Sequence, residues 1–156
     1  RNLDTLLDIW IDLIYPKNNS LEFYITPNLF QYSDKFKNYN IFLRTLGSRR
    51  EMIDELKHSR VLLYLGHKSD IFTLTAEEAI KLCVPVITYG IGSLSERVSH
   101  GENGFIAKNS SQFAKYTLDL MNDDSILKEL KTKMFKKRTE ITWSVIADNW
   151  IKKFLK

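Results

Sequence analysis

The sequence predicts an α/β fold of three layers, α/β/α, with a mainly parallel sheet between helices. Two observations carry that prediction. Short apolar runs alternate with helix-forming stretches five times along the chain, a pattern that suits strands joined by right-handed crossovers. The third run, Val61-Leu62-Leu63-Tyr64-Leu65, is apolar throughout, as a central parallel strand covered on both faces should be. In such sheets ligands bind beyond the carboxyl ends of the strands.

The elements follow in order. Leu3, Leu6, Leu7, Trp10 and Ile14 recur at helical spacing, and Pro16 with Asn18-Asn19-Ser20 ends that helix. Leu21 to Ile25 reads as a short strand closed by Thr26-Pro27-Asn28. Residues 29–40 hold one short helix at most, and Ile41-Phe42-Leu43 is the second strand. Ser48 with Glu51 forms a capping-box pattern for a helix through Lys57. After the third strand, Leu74 to Leu82 is a helix with Thr73 as its cap, and Val86-Ile87-Thr88 is the fourth strand. The loop Tyr89 to Ser93 carries Gly90 and Gly92, and Leu94 to Val98 is a helical turn. Gly101-Glu102-Asn103-Gly104 leads into a fifth strand, Phe105-Ile106-Ala107, and three helices follow near 110–121, 125–138 and 142–154.

Composition narrows the function classes. The 156 residues suit one domain with a real core, and 44% hydrophobic content excludes disorder. The net charge of +4 comes largely from lysines and arginine between Lys131 and Arg138 and near the C-terminus. A solvated helix face is the reading favoured for them; contact with an anionic membrane surface is weaker. No nucleic-acid motif accompanies the charge. The single cysteine, Cys83, excludes an internal disulfide and a multi-cysteine zinc site, and reads as a buried small core residue. His58, His67 and His100 form no metal spacing and read as surface residues; Trp143 and Trp150 read as helix packing. No apolar run reaches the ~20 residues that cross a bilayer. The chain opens without methionine and almost directly in a helix, which reads as a piece of something longer.

Two acids carry the functional reading. Asp70 lies in the loop after the third strand and Glu78 inside the next helix. A carboxylate accepts two hydrogen bonds at once, which suits vicinal hydroxyls of a sugar. Amides around Thr73, Leu74 and Thr75 sit at a helix start, where phosphates bind. Of the adjacent glutamates, Glu77 is assigned to solvent and Glu78 to the ligand. Arg49 and Arg50 read as surface residues, and Arg44 as the arginine nearer a phosphate or base.

The stretch Asp70-Ile71-Phe72-Thr73, then Glu78-Ala79, resembles the Glu-x7-Glu motif of retaining glycosyltransferases of family 4, which have the GT-B fold. Cys83-Val84-Pro85-Val86-Ile87, Gly90 to Glu96, Gly101 to Ile106, Thr142-Trp143-Ser144 and the opening Arg1-Asn2-Leu3-Asp4 resemble further pieces of that family's donor-binding domain, in order. The resemblance implies a Rossmann-like domain, one half of a GT-B fold, spanning residues 1–156, with the N-terminal acceptor domain absent. It implies Glu78 on the ribose, Asp70 near the donor hexose and Arg1 at the diphosphate. Arg44, Thr45 and Leu46 match the stretch that reads the base, and Glu96 a loop-shaping glutamate. Asp70, Thr73, Thr45 and Cys83 depart from the family's glutamate and glycines.

The function so implied is binding of a UDP-, GDP- or ADP-hexose in a retaining enzyme of polysaccharide biosynthesis. That enzyme would transfer a hexose to a glycan or lipid-linked acceptor, with no cofactor and no metal. The fragment alone is expected to be inactive, and the location to be cytoplasmic, with contact at the inner membrane face. Two alternatives stand beside it: a non-catalytic partner module of the same fold, and a sugar-nucleotide epimerase.

Overall fold

The computed structural model describes residues 2–25, 34–44, 47–140 and 143–154. Helix α1 (Leu3–Ile9) runs on into a π-helical stretch, Trp10–Ile14, then β1 (Phe23–Ile25), a 3-10 turn (Asp34–Tyr39) and β2 (Ile41–Leu43). The centre of the chain holds α2 (Arg49–His58), β3 (Leu62–Leu63), α3 (Leu74–Lys81), β4 (Val86–Thr88), α4 (Leu94–Arg97) and β5 (Gly104–Ile106). Three helices close the chain: α5 (Ser110–Asn122), α6 (Asp124–Glu140) and α7 (Trp143–Phe154). The expected helix over 3–14 is thus present with a wider last part, where the Tyr15 N–H reaches the Trp10 carbonyl at 2.8 Å.

Every strand pairing among the described residues is parallel, as the crossovers require. The expected single sheet is instead two: β1 with β2, and β3-β4-β5. β3 is also shorter than the apolar run that announces it, although the Tyr64 N–H still bonds the Ile87 carbonyl at 3.0 Å. Its end is marked by Gly66, which bridges to Ile91.

Alternation along β4 separates two helical layers. Ile87 joins a core with Leu6, Trp10, Phe113 and Leu130, from α1, the π-helical stretch, α5 and α6. Its neighbour Val86 faces Leu56, Ala76, Ala79 and Leu94, from α2, α3 and α4. The period of two along a strand sends adjacent residues to opposite faces, so these are the two outer layers of the α/β/α arrangement.

Local signals act as expected at α2: the Glu51 N–H bonds Ser48 Oγ and the Ser48 N–H bonds Glu51 Oε2 at 2.7 Å. Cys83 departs from its expected place in the core. It is half-buried with φ 59 and stands just past the end of α3. Its N–H bonds the Ile80 carbonyl at 3.0 Å, and the Val84 N–H bonds Ala79 at 2.8 Å. That is the Schellman arrangement, in which glycine is the usual residue at the left-handed position.

Of the two tryptophans expected to pack α7, the Trp143 side chain lies outside the described residues and Trp150 departs from expectation. Trp150 is 65% exposed and lies tilted against Phe154 rather than in the core. The basic residues of α6 are exposed as expected except Lys131, which is half-buried; Lys133 pairs with Glu129 and Lys137 with Glu102.

Candidate functional site

The loops after β3 and β4 meet at the carboxyl edge of the sheet. The Ser93 N–H bonds the Asp70 carbonyl at 2.9 Å. Gly92, at φ 67, lies so close that a Cβ would stand 3.0 Å from the Asp70 carbonyl oxygen and nearer still to that of His67. Gly66, at φ 92, is pressed in the same way on the Ile91 carbonyl, 2.8 Å from a would-be Cβ. Both positions need glycine for its backbone freedom and for the absent side chain. They bring the two loops together, as the alternation of elements predicts.

Asp70 shapes its own loop. Its Oδ2 accepts from the His67 N–H at 3.0 Å and from the Tyr64 hydroxyl at 3.3 Å. His67, expected on the surface, is half-buried, and its Nδ1 accepts from the Ser69 N–H at 3.2 Å. Glu96, by contrast, is exposed, and its carboxylate makes no hydrogen bond or ion pair with a described residue. The loop-shaping role expected of Glu96 therefore falls to Asp70 and the glycines.

Thr73 is buried and its Oγ1 lies 2.8 Å from Ser93 Oγ. It does not cap α3 with its side chain, against the sequence reading. Its bulk is turned inward, so a threonine where the family has glycine leaves the start of α3 open. Leu74 is 63% exposed at that start, and Ile71 and Phe72 form an exposed apolar rim with it. The Arg97 guanidinium lies 3.7 Å over the Phe72 ring.

Glu78 sits in the second turn of α3 with its side chain only 19% exposed, and Oε1 receives Arg49 Nη2 at 3.0 Å. Arg49 is the first residue of α2, held at that place by the Ser48–Glu51 box, and is itself 77% exposed. The sequence reading put Arg44 nearer the site. Arg44 instead pairs with Glu55 at 3.3 Å and lies 4.3 Å over the Tyr24 ring. Glu77, read as solvated, is tied to Arg97 at 2.8 Å and to Lys81 at 3.5 Å. Arg1, Thr45 and Leu46 lie outside the described residues.

The site thus offers a recessed carboxylate with an exposed cationic partner, an uncapped helix start and a loop fixed by Asp70. It can grip hydroxyls and a negatively charged group side by side. Among the described residues no cluster of metal-ligating side chains occurs.

Residues 27–139 match the family described as "Glycosyl transferases group 1". No curated protein matches the chain. Among solved structures, a TarM variant from S. aureus in complex with Fondaparinux, alpha-GlcNAc-glycerol and UDP is similar, with 21% identity and TM-score 0.67 over 97% of this chain and 30% of that one. A second TarM structure matches at 20% identity and TM-score 0.72, over 96% of this chain and 32% of that one. A structure of accessory secretory protein 1, 2 and 3 from Streptococcus pneumoniae matches at 17% and 0.69, over 96% and 32%. At such identities the likeness speaks for the fold. The chain spans less than a third of the length of these structures.

Proposed function

We propose that this chain, which belongs to the group 1 glycosyl transferases, is the nucleotide-sugar-binding half of a retaining enzyme of family 4. In this reading the enzyme transfers a hexose to a glycan or lipid-linked acceptor held by a separate N-terminal half. The observation that carries it is Glu78: recessed, charged, and held by Arg49 beside the open start of α3. Its carboxylate suits a ribose diol, each charge-assisted bond contributing about 1.5–3 kcal/mol. The amides of Leu74 and Thr75, at the positive end of the α3 dipole, suit the diphosphate.

Asp70 positions the loop against which the donor hexose would lie. The diphosphate role of Arg1 and the base-reading role of Thr45 and Leu46 rest on the resemblance. The base contact of Arg44, which follows β2 and pairs with Glu55, likewise rests on the resemblance. Charge developing on the leaving diphosphate would be met by helix amides and arginines, so binding is expected to survive chelation of divalent ions. No described helix is long and apolar enough to cross a membrane. The proposed setting is the cytoplasm, the acceptor being met at the inner membrane face.

Calorimetry of the full-length protein with UDP, GDP and ADP tests this reading. Saturable binding of one of them, with EDTA present, is expected. UDP comes first, because it is present in the TarM variant structure. This chain alone is expected to bind more weakly and to transfer nothing measurable.

A second reading is a partner module without catalysis. It is favoured by one observation: Asp70 spends a carboxylate oxygen on its own loop. Failure of all three nucleotides to bind would favour that module.

A further inference from the structure

Burial holds the segment that leads into α3 poorly. Ile71, Phe72 and Leu74 are large, apolar and exposed, and only Thr73 between them is buried. Few buried contacts leave a segment free to open locally. Its amides, on the proposed function, must nonetheless stand still to meet a diphosphate. The neighbouring α4 is anchored far better: Leu94 opens it, Val98 follows it, and both lie in the core with Ala76, Ala79 and Val86.

One side chain joins the two. Arg97 is the last residue of α4, and its backbone is fixed on both sides. Its N–H bonds the Ser93 carbonyl at 3.3 Å, and its carbonyl accepts from Asn103 Nδ2 at 2.9 Å. The guanidinium lies 3.7 Å over the Phe72 ring, and Nη1 donates to Glu77 Oε2 at 2.8 Å. Phe72 lies ahead of the helix start and Glu77 in its first turn, so one group grips that start from both sides. The Thr73–Ser93 contact, by contrast, fixes a single inward side chain. A planar guanidinium can stack by its face and bond by its edge, which a lysine ammonium cannot.

The grip also sets the rotation of α3. Adjacent residues of a helix point about 100° apart. Glu77 is drawn to Arg97 of α4, and Glu78 to Arg49 of α2.

Stability does not account for an arginine here. The side chain is only 21% exposed, and its buried Nε–H meets no acceptor among the described residues. An unmet buried donor is unfavourable, and uncharged residues of similar volume often replace such ion pairs without loss.

We propose that Arg97 is a positioning residue for a nucleoside diphosphate. By holding Phe72 and Glu77 it fixes the amides of Leu74 and Thr75 where the diphosphate meets them, and it touches no ligand itself. The inference rests on the donor reading.

Calorimetry of the full-length protein with UDP, GDP and ADP, each beside its nucleoside, tests it. The double variant Arg97→Met/Glu77→Gln removes both charges of the pair. The diphosphate that wild type binds should bind it at least about tenfold more weakly, the loss of one charge-assisted bond. The nucleoside, which has no diphosphate, should bind as in wild type. The melting temperature should stay within about 3 °C of wild type. Phe72→Leu, at an exposed position with the ion pair intact, should show the same selective loss, and it reads the role even if the double variant does not fold. Combined, the two losses should not add, because they remove one tie. Wild-type diphosphate affinity in Phe72→Leu and in the double variant would overturn the role of Arg97 and leave the donor reading standing. So would a loss shared equally by nucleoside and diphosphate, or one that follows a fall in melting temperature. Failure of wild type to bind any of the three diphosphates would overturn the donor reading, and this role with it.

Discussion

The two ends of α3 are finished differently. At its carboxyl end the Cys83 and Val84 amides bond Ile80 and Ala79, and Cys83 accepts a left-handed backbone to do so. At its start, Thr73 turns its hydroxyl to Ser93 and leaves the first-turn amides without a side-chain cap. Helices α2, α5 and α6 do not share that open start. Ser48 caps α2, Asn109 caps α5 through the Gln112 N–H, and Asp123 accepts from the Ser125 and Ile126 N–H groups at the start of α6. An uncapped helix start facing a ligand edge is a place where bound anions can substitute for a cap. The comparison separates the end of α3 that is closed by the backbone from the end that, on the proposed function, is left open for the donor.

The comparison can be broken or sharpened by substitutions at each end. The largest effect is expected near the start, at Gly92. Gly92→Ala places a methyl group against the Asp70 and His67 carbonyls at positive φ. It should cost at least about 2 kcal/mol of stability, measured by urea unfolding, and should also weaken nucleotide binding. Thr73→Ala removes the buried bond to Ser93 and should cost about 1–2 kcal/mol, with binding kept, because the amides rather than the hydroxyl face the ligand. If binding fell as much as stability, the start of α3 would be serving the fold rather than the ligand.

At the other end, Cys83→Gly relieves a left-handed L-residue and should raise stability by about 0.5–1 kcal/mol without touching nucleotide affinity. An unchanged melting temperature would mean that the Cys83 backbone carries no strain. The smallest effect concerns the capped contrast at α6. Bonds from Ser125 and Ile126 hold the Asp123 carboxyl below the ordinary aspartate range. A lowered folded-state pKa gives stability that is present above the unfolded value and lost as pH falls through the folded one. Acidification below the ordinary aspartate range should therefore lower the melting temperature less in Asp123→Asn than in the wild type.

Much of this was legible in the residues. The capping box at Ser48 and Glu51, the strands at 41–43 and 86–88, and the loops meeting beyond β3 and β4 follow from local pattern and crossover logic. The division into two sheets was not legible, because an apolar run states that a strand is buried but not which strand lies beside it. The same limit hid the partners of the adjacent glutamates. Arg49 is 29 positions from Glu78 and Arg97 is 20 from Glu77, and no periodicity connects residues so far apart. Cys83 was misread because apolar neighbours signal burial, whereas its place is set by the left-handed turn that ends α3. Thr73 was readable as a helix start but not as the partner of Ser93, which arrives from the next loop.

The central claim is that Glu78 holds the ribose of a nucleotide donor. The most direct measurement is calorimetric titration of the bound nucleotide into full-length wild type and Glu78→Gln, with unfolding followed in parallel. Affinity should fall roughly ten- to a hundredfold, while stability changes by no more than the ~1 kcal/mol expected of a surface ion pair to Arg49. Wild-type affinity in Glu78→Gln would contradict the account.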